Sequence, residues 1–126
     1  MKPSKRNIRR LIGGAMGEIK ADLIISGGEM VNVYSGEILN GMEIAVLDGR
    51  ICYVGPKAGH TRGPSTRLLD AKGLVIAPGF IDAHTHDDRL MLSGGDMAPK
   101  VSQGVTTVIG GNCGVSLAPK IGRAHV

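Results

Sequence analysis

The chain has 126 residues, about the length of one domain, and a formal net charge of +4. The excess is local, because residues 1–20 hold six basic residues and one acidic residue, whereas the rest holds nine basic and ten acidic. This balance, with one Phe, two Tyr and no Trp, excludes a nucleic-acid-binding module built on a basic face or on aromatic platforms. The hydrophobic fraction of 42% excludes a disordered chain.

The cysteine content and the lack of a long apolar run indicate the compartment. Two cysteines, Cys52 and Cys113, form no disulfide framework and favour a reducing environment. No run approaches the roughly 20 apolar residues of a membrane helix. The apolar stretch 11–17 is too short and glycine-rich for a secretory signal, and Arg9-Arg10 is a weak export signal by itself. We therefore predict a cytoplasmic protein with no membrane partner.

A basic amphipathic segment, residues 1–20, begins the chain. Residues 4–19 predict a helix, because apolar residues recur there at helical spacing: Ile8, Leu11, Ile12, Ala15, Met16 and Ile19. Each of its three glycines costs about 1 kcal/mol relative to Ala in a helix interior, so the helix must dock to form. It is either a membrane-surface helix or, as we favour, a helix packed on its own protein.

Residues 21–77 consist of short β-rich runs that are separated by turns. The predicted strands are residues 23–25, 30–34, 42–47, 50–54, 67–70 and 74–77. Asp48-Gly49 predicts a hairpin, because both turn residues need a positive φ, and Lys72-Gly73 predicts a pairing of the last two strands. We therefore predict a small antiparallel sheet that is too poor in large apolar side chains to be stable alone.

The pattern then changes to that of an α/β fold. Residues 80–86 predict a strand that ends in two histidines. Residues 96–103 predict a short helix, with Asp96 as its cap and Gly104 as its terminator. Residues 105–110 form a continuous β-branched run, typical of a strand buried on both faces of a parallel sheet. Strand, crossover and strand make the opening of an α/β fold.

The last six residues, 121–126, have an unusual sequence. The codons ATC GGA AGA GCA CAC GTC encode this hexapeptide and match the start of a widely used sequencing adapter. We therefore interpret residues 121–126 as adapter read-through and the chain as truncated, and we give Arg123 and His125 no functional role. The alternative is a short natural tail.

Two histidines and a cysteine are the candidate metal ligands. His84 and His86 are two apart in the predicted strand, so their imidazoles share one face at its C-terminal end. Neutral imidazole is the commonest ligand of Zn²⁺ and similar ions. Cys113 follows the second strand, and because parallel strands end side by side its thiolate can approach the same cation. The alternatives are two ordinary polar residues and a buried structural thiol.

Three carboxylates flank this histidine pair. Asp82 either accepts a hydrogen bond behind the metal or caps a neighbouring backbone group. Asp87 and Asp88 either orient the imidazoles and attract the cation or form a solvated turn. Elsewhere, we predict that Cys52 belongs to the core and that His60 is solvated.

Residues 78–86, Pro-Gly-Phe-Ile-Asp-Ala-His-Thr-His, resemble the amidohydrolase superfamily of metal-dependent hydrolases on a TIM (β/α)8 barrel. Residues 87–119, with the Gly-Asn-Cys-Gly element, are similar to its N-acyl-D-amino-acid deacylase (D-aminoacylase) branch. Residues 8–40 also resemble adenine deaminase, another branch of the superfamily.

The resemblance implies that His84, His86 and Cys113 bind zinc, as one or two ions. It implies a truncated α/β protein in which residues 21–77 are part of a small β-sandwich and residues 78–120 are the first strands of the barrel. The implied reaction is hydrolysis of the amide of a small-molecule substrate, an N-acyl-D-amino acid. A catalytic aspartate, as general base, and two further histidines would come from later strands.

We therefore expect the fragment to be inactive and poorly folded alone. The alternatives are a fragment of an adenine deaminase-like purine deaminase and a small non-enzymatic metal-binding domain. Nothing in the sequence indicates an oligomeric state.

Overall fold

The structure, a computed structural model, describes residues 5–115. Its residues up to Ala77 form one compact unit, and those from Pro78 form a second. In the described part of the chain, no helix is long and apolar enough to cross a membrane. The predicted adapter residues 121–126 and the end of the region predicted as 78–120 lie outside the described residues.

The strands of the first unit form two sheets. One has the strand order β5-β4-β1-β6 and the other the order β3-β2-β7. The strands are β1 Leu23–Ser26, β2 Glu29–Asn32, β3 Glu37–Leu39, β4 Glu43–Leu47, β5 Arg50–Gly55, β6 Arg67–Asp70 and β7 Val75–Ile76.

The prediction of a single antiparallel sheet in residues 21–77 is wrong in its pairing. β6 lies parallel to β1 and β7 lies parallel to β2, so the last two strands belong to different sheets. The chain leaves the first sheet after Ser26 and again after Asp70, and these two residues are partners in register. A glycine turn specifies that the chain changes direction, but it does not specify which earlier strand the next one joins. The Asp48-Gly49 hairpin is confirmed, with φ of 51° and 69° between antiparallel β4 and β5.

The core of the first unit is rich in alanine. Ala21, Ile24, Ala45 and Ala58 form its buried cluster, against which Cys52 packs. The half-buried thiol of Cys52 lies 3.4 Å from the carbonyl oxygen of Ala45, and burial raises its pKa. The prediction that Cys52 belongs to the core is therefore confirmed.

Helix α1, Lys5–Ala15, packs against β4 and β5. It is shorter than the predicted helix, and its two consecutive glycines are buried. A Cβ atom at Gly14 would lie 2.8 Å from Leu47 Cδ2 and 3.3 Å from Cys52 Sγ. Gly14, although it weakens the helix, therefore allows the helix backbone to approach the sheet, and the prediction of a helix packed on its own protein is confirmed.

Polar contacts hold α1 along its length. Arg10 Nε donates to Asp48 Oδ2 over 2.7 Å, and this hydrogen bond lowers the pKa of the Asp48 carboxyl. At the helix end, His60 Nε2 lies 2.9 Å from the carbonyl oxygen of Ala15. His60 is exposed, as predicted, and its ring in addition contacts the last carbonyl of α1.

Gly17, just after α1, has a φ of +74°, and a Cβ atom there would lie 2.5 Å from the carbonyl oxygen of His60. Gly36 has a similar φ of +72° with nothing within 4 Å, which makes it the matched control. We expect Gly36→Ala to lower the free energy of unfolding by about 1–2 kcal/mol, the cost of a left-handed conformation. Gly17→Ala should lower it further, because the backbone at His60 must also move. Urea denaturation of both variants of the full-length protein measures the difference, and equal losses would contradict the expectation.

The second unit contains a parallel strand pair with two short helices between the strands. Its elements are β8 Phe80–Asp82, α2 Asp88–Leu92, α3 Ala98–Val101 and β9 Val105–Val108. β8 pairs with β9 in parallel, which confirms the predicted strand, crossover and strand. The predicted helix over 96–103 is wrong in its bounds, because α3 covers only Ala98–Val101 and its N-cap is Met97 and not Asp96. Asp96 precedes the N-cap, and its Oδ1 accepts the N–H of Ala98 over 3.0 Å, while Gly104 follows the helix end with a φ of +78°.

Two further predictions for this unit are wrong. β8 ends at Asp82, so the histidines lie in the loop after the strand, and part of that connection forms α2, which was not predicted. β9 is not buried on both faces, since Thr106 and Thr107 are exposed. Two strands and two short helices cannot cover both faces of a sheet, so the β-branched run indicates a strand but not its burial here.

Candidate metal centre

Two loops of the second unit carry the candidate ligands. The histidine loop, residues 83–87, joins β8 to α2, and the cysteine loop, residues 109–115, follows β9. Because β8 and β9 run parallel, both loops leave the same edge of the strand pair. The parallel pairing of β8 and β9 therefore brings the side chains that follow the two strands to the same edge.

The structure brings His84, His86 and Cys113 together. Each offers one ligand atom, and the three atoms lie within 4.8 Å of one another. Cys113 Sγ is 3.3 Å from His84 Nε2, and the two imidazole centroids are 5.5 Å apart. All three side chains are exposed. The predicted convergence is present, but it arises from the path of the loop and not from alternate positions on a strand.

The donor set fits a zinc-like cation. Zn–N bonds of about 2.0–2.1 Å and Zn–S bonds of about 2.3 Å place tetrahedral ligand atoms about 3.5 Å apart. The sulfur–nitrogen pair at 3.3 Å already matches, and the most separated pair has to approach by about 1.3 Å. Imidazole and thiolate ligands favour zinc over magnesium or calcium, which prefer oxygen. Three protein ligands with a fourth position open are typical of catalytic zinc sites.

The residues next to Cys113 tie the cysteine loop to the histidine loop. Asn112 Nδ2 donates to the carbonyl oxygen of Thr85 over 3.1 Å and to that of Ile109 over 2.6 Å. Thr85 lies between the two histidines in the chain, so this amide joins the loops directly. Cys113 has a φ of +55°, a conformation that non-glycine residues adopt mainly where their surroundings enforce it.

A lysine from α3 bridges two of the predicted carboxylates. Lys100 Nζ lies 2.5 Å from Asp82 Oδ2 and 3.0 Å from Asp87 Oδ2. The hydrogen bond from Lys100 lowers the pKa of Asp82. The pKa of Asp87 is lowered first by the hydroxyl of Thr85 and then by Lys100, and these carboxylates raise the pKa of Lys100.

The carboxylates predicted to support the histidines contact the loops and not the rings. Asp82 Oδ1 accepts the backbone N–H of His84 over 3.1 Å, which is the backbone-capping alternative. Asp87 accepts the hydroxyl of Thr85, and Asp88, the first residue of α2, accepts the N–H of Gly111 over 2.9 Å. For residues 5–115, the other oxygen of Asp88, Oδ2, is buried and has no partner.

Sequence reasoning missed Lys100 and Asn112. Lys100 is 18 residues from Asp82, and no local pattern connects a helix lysine with a strand-end carboxylate. Asn112 carried a weak signal, since it stands between glycines and the candidate cysteine ligand.

Comparison with known proteins identifies the family of the segment that contains the candidate metal ligands. Residues 67–124 match the model of the Amidohydrolase family. The chain carries an amidohydrolase segment. This match contains all three candidate ligands and confirms the resemblance that residues 78–86 indicate.

Relatives of the amidohydrolase segment come from both predicted branches. An N-acyl-D-aspartate deacylase of Alcaligenes xylosoxydans xylosoxydans is 49% identical over 100 residues, covering 79% of this chain and 19% of that protein. An adenine deaminase of Cenarchaeum symbiosum (strain A) is 46% identical over 108 residues, covering 86% of this chain and 18% of that protein. The chain thus spans about a fifth of the length of these relatives.

A solved structure shows the same likeness in three dimensions. The N-acyl-D-glutamate deacylase from Bordetella bronchiseptica, complexed with zinc and a phosphonate inhibitor that mimics the tetrahedral intermediate, matches with a TM-score of 0.69. The sequence identity is 42%, over 79% of this chain and 20% of that one.

Proposed function

We propose that this chain is the N-terminal part of a zinc-dependent amidohydrolase that hydrolyses the amide of N-acyl-D-amino acids. The observation that carries the proposal is the meeting of His84, His86 and Cys113 at the C-terminal ends of two parallel strands. Chemistry in (β/α)8 barrels takes place at that end of the strands. The full-length protein would contain one or two zinc ions and the remaining strands of the barrel.

The chain's own contribution is to hold the cation and leave room for substrate. When bound, zinc supplies Lewis-acid polarisation of the scissile carbonyl and a lowered pKa for water. His84, His86 and Cys113 would provide two nitrogens and one sulfur from exposed positions, so a small molecule can reach the same point. The general base and two further histidines are proposed to lie in later strands. Residues 1–126 alone are therefore proposed to be inactive.

Cys113 favours the deacylase over the deaminase. It lies in a Gly-Asn-Cys-Gly element that resembles the D-aminoacylase branch, and its sulfur is 3.3 Å from His84 Nε2. The deacylase of Alcaligenes and the zinc-bound deacylase of Bordetella support this choice. Adenine deamination is the second candidate, because the adenine deaminase of Cenarchaeum covers slightly more of this chain.

The domain assignment belongs to the same proposal. We infer that residues 21–77, with their two sheets, form part of a β-sandwich and that β8 and β9 are the first two strands of the barrel. A cytoplasmic location and the absence of nucleic-acid and membrane partners remain predictions from the sequence.

The test is a substrate comparison on the full-length protein, purified and loaded with zinc. We expect it to release the free D-amino acid from N-acetyl-D-aspartate, N-acetyl-D-glutamate or N-acetyl-D-leucine. The N-acetyl-L enantiomers serve as matched controls and should be hydrolysed far more slowly. Release of ammonia from adenine without deacylation would reverse the assignment, and turnover of neither class would contradict the proposed reaction.

A further inference from the structure

Lys100 and the two carboxylates that it bridges, Asp82 and Asp87, lie beside the metal centre; we call these three residues the lysine bridge. Asp82 precedes the two histidines in the chain and Asp87 follows them. Lys100 Nζ is 2.5 Å from one carboxylate and 3.0 Å from the other. A single ammonium group on α3 therefore holds both ends of the histidine loop.

The lysine bridge occupies oxygens that are themselves able to bind a cation. Asp87 Oδ2 accepts hydrogen bonds from Lys100 and from Thr85 Oγ1, which lies 2.5 Å away, although Asp87 directly follows His86. Carboxylate oxygens are the ligands that Mn²⁺, Mg²⁺ and Ca²⁺ prefer. Within residues 5–115, the side chains placed to share one ion are His84, His86 and Cys113, without either carboxylate.

The positive charge of Lys100 balances the two carboxylates that stay apart from the candidate metal ligands. Two carboxylates face one ammonium, and the three side chains are only 25–29% exposed, so water would replace the lysine incompletely. Without Lys100, two negative charges would remain next to a site for a divalent cation. Asp87 would then gain by turning toward that cation, because its backbone adjoins the ligand His86.

We propose that Lys100 is a positioning residue that keeps the carboxylates of Asp82 and Asp87 out of the metal coordination. The cation is then held by two imidazoles and one thiolate, and the site selects zinc-like ions over oxygen-preferring ions such as Mn²⁺. This inference rests on the proposed function, because it takes the metal centre as given.

The test follows the coordination of Co²⁺, a coloured substitute for Zn²⁺, in the full-length protein. We expect Lys100→Met to weaken the thiolate-to-cobalt absorption and to lower zinc affinity about 10–100-fold, the range typical for groups that hold metal ligands. The ratio of Zn²⁺ affinity to Mn²⁺ affinity should be smaller in Lys100→Met than in the unmodified protein. Lys100→Arg should retain the absorption, because a guanidinium can donate to both carboxylates.

A double variant separates this role from a merely structural one. In Lys100→Met with Asp87→Asn, the carboxylate that adjoins His86 is absent, and Asp82 still accepts the backbone N–H of His84, so the thiolate absorption should return. Arg89→Met is the charge control, since it removes a positive charge from exposed Arg89 of α2, and we expect an unchanged spectrum. Urea midpoints measured in parallel report any loss of folding.

Each outcome decides one hypothesis. Unchanged absorption and affinity in Lys100→Met would overturn the role of Lys100. Loss without recovery in the double variant would also overturn it, because Lys100 would then act on folding alone. If the unmodified protein showed no thiolate-to-cobalt absorption, or if Cys113→Ala retained it, the metal centre and hence the proposed function would be contradicted.

Discussion

Alanine replacement of His84, His86 or Cys113, one at a time in the full-length protein, is expected to lower zinc content and deacylase turnover together. The three ligand atoms lie within 4.8 Å of one another, so each removal takes away one of the bonds by which this chain would hold the ion. Mutation of a group that only supports a metal ligand typically lowers metal affinity or activity about 10–100-fold. Removal of a ligand itself should therefore lower zinc affinity more than about 100-fold. Metal analysis after dialysis and initial rates measure the two effects.

Cys52→Ala is the matched control for the thiol. Cys52 is the other free cysteine, and it packs against the core of the first unit. We expect this variant to keep its zinc and its turnover, although its stability falls slightly. Full zinc content and full rate after all three ligand replacements would remove the basis of the proposed function.

The second large effect is expected at Asn112. Its Nδ2 group donates to the carbonyl oxygens of Thr85 and Ile109 and so joins the cysteine loop to the histidine loop. Asn112→Asp places a negatively charged carboxylate, which cannot donate, against the carbonyl oxygens of Thr85 and Ile109. Because these groups repel one another, Asn112→Asp should disrupt the contact between the loops more than Asn112→Ala does. We expect zinc affinity to fall about 10–100-fold in Asn112→Asp and less in Asn112→Ala. Competition with a chelator of known affinity measures both.

Asn40→Asp controls for the added negative charge at an exposed position of the first unit. It should leave zinc affinity unchanged. Equal zinc affinities in the unmodified protein and in Asn112→Asp would contradict the expectation, because the two loops would then hold their relative positions without the Asn112 amide.

The candidate metal centre was predictable because its three residues lie close to two strand ends. His84 and His86 are separated by one residue, and Cys113 follows the strand that pairs in parallel with β8. Residue types and strand order were therefore sufficient to predict the meeting of the three side chains. The predicted position of the histidines within the strand was wrong, since both histidines lie beyond the last residue of β8.

Contacts between distant residues were not predictable in the same way. The bond from Lys100 to Asp82 depends on where α3 lies against β8, and no sequence period reports that position. The same limit explains β6 and β7, whose partners are strands that occur about 45 residues earlier along the chain. It also explains His60, whose contact with Ala15 joins residues 45 positions apart.

By itself, the sequence determined the candidate ligand residues, the family resemblance, the Asp48-Gly49 hairpin and the parallel strand pair. Each of these depends on residue chemistry at short spacing, where backbone geometry leaves few choices. Only the tertiary structure decided the pairing of β6 and β7, the close approach of α1 at Gly14 and the lysine bridge. Those features arise from packing between segments far apart in the chain, which local patterns of polarity and turn residues do not encode.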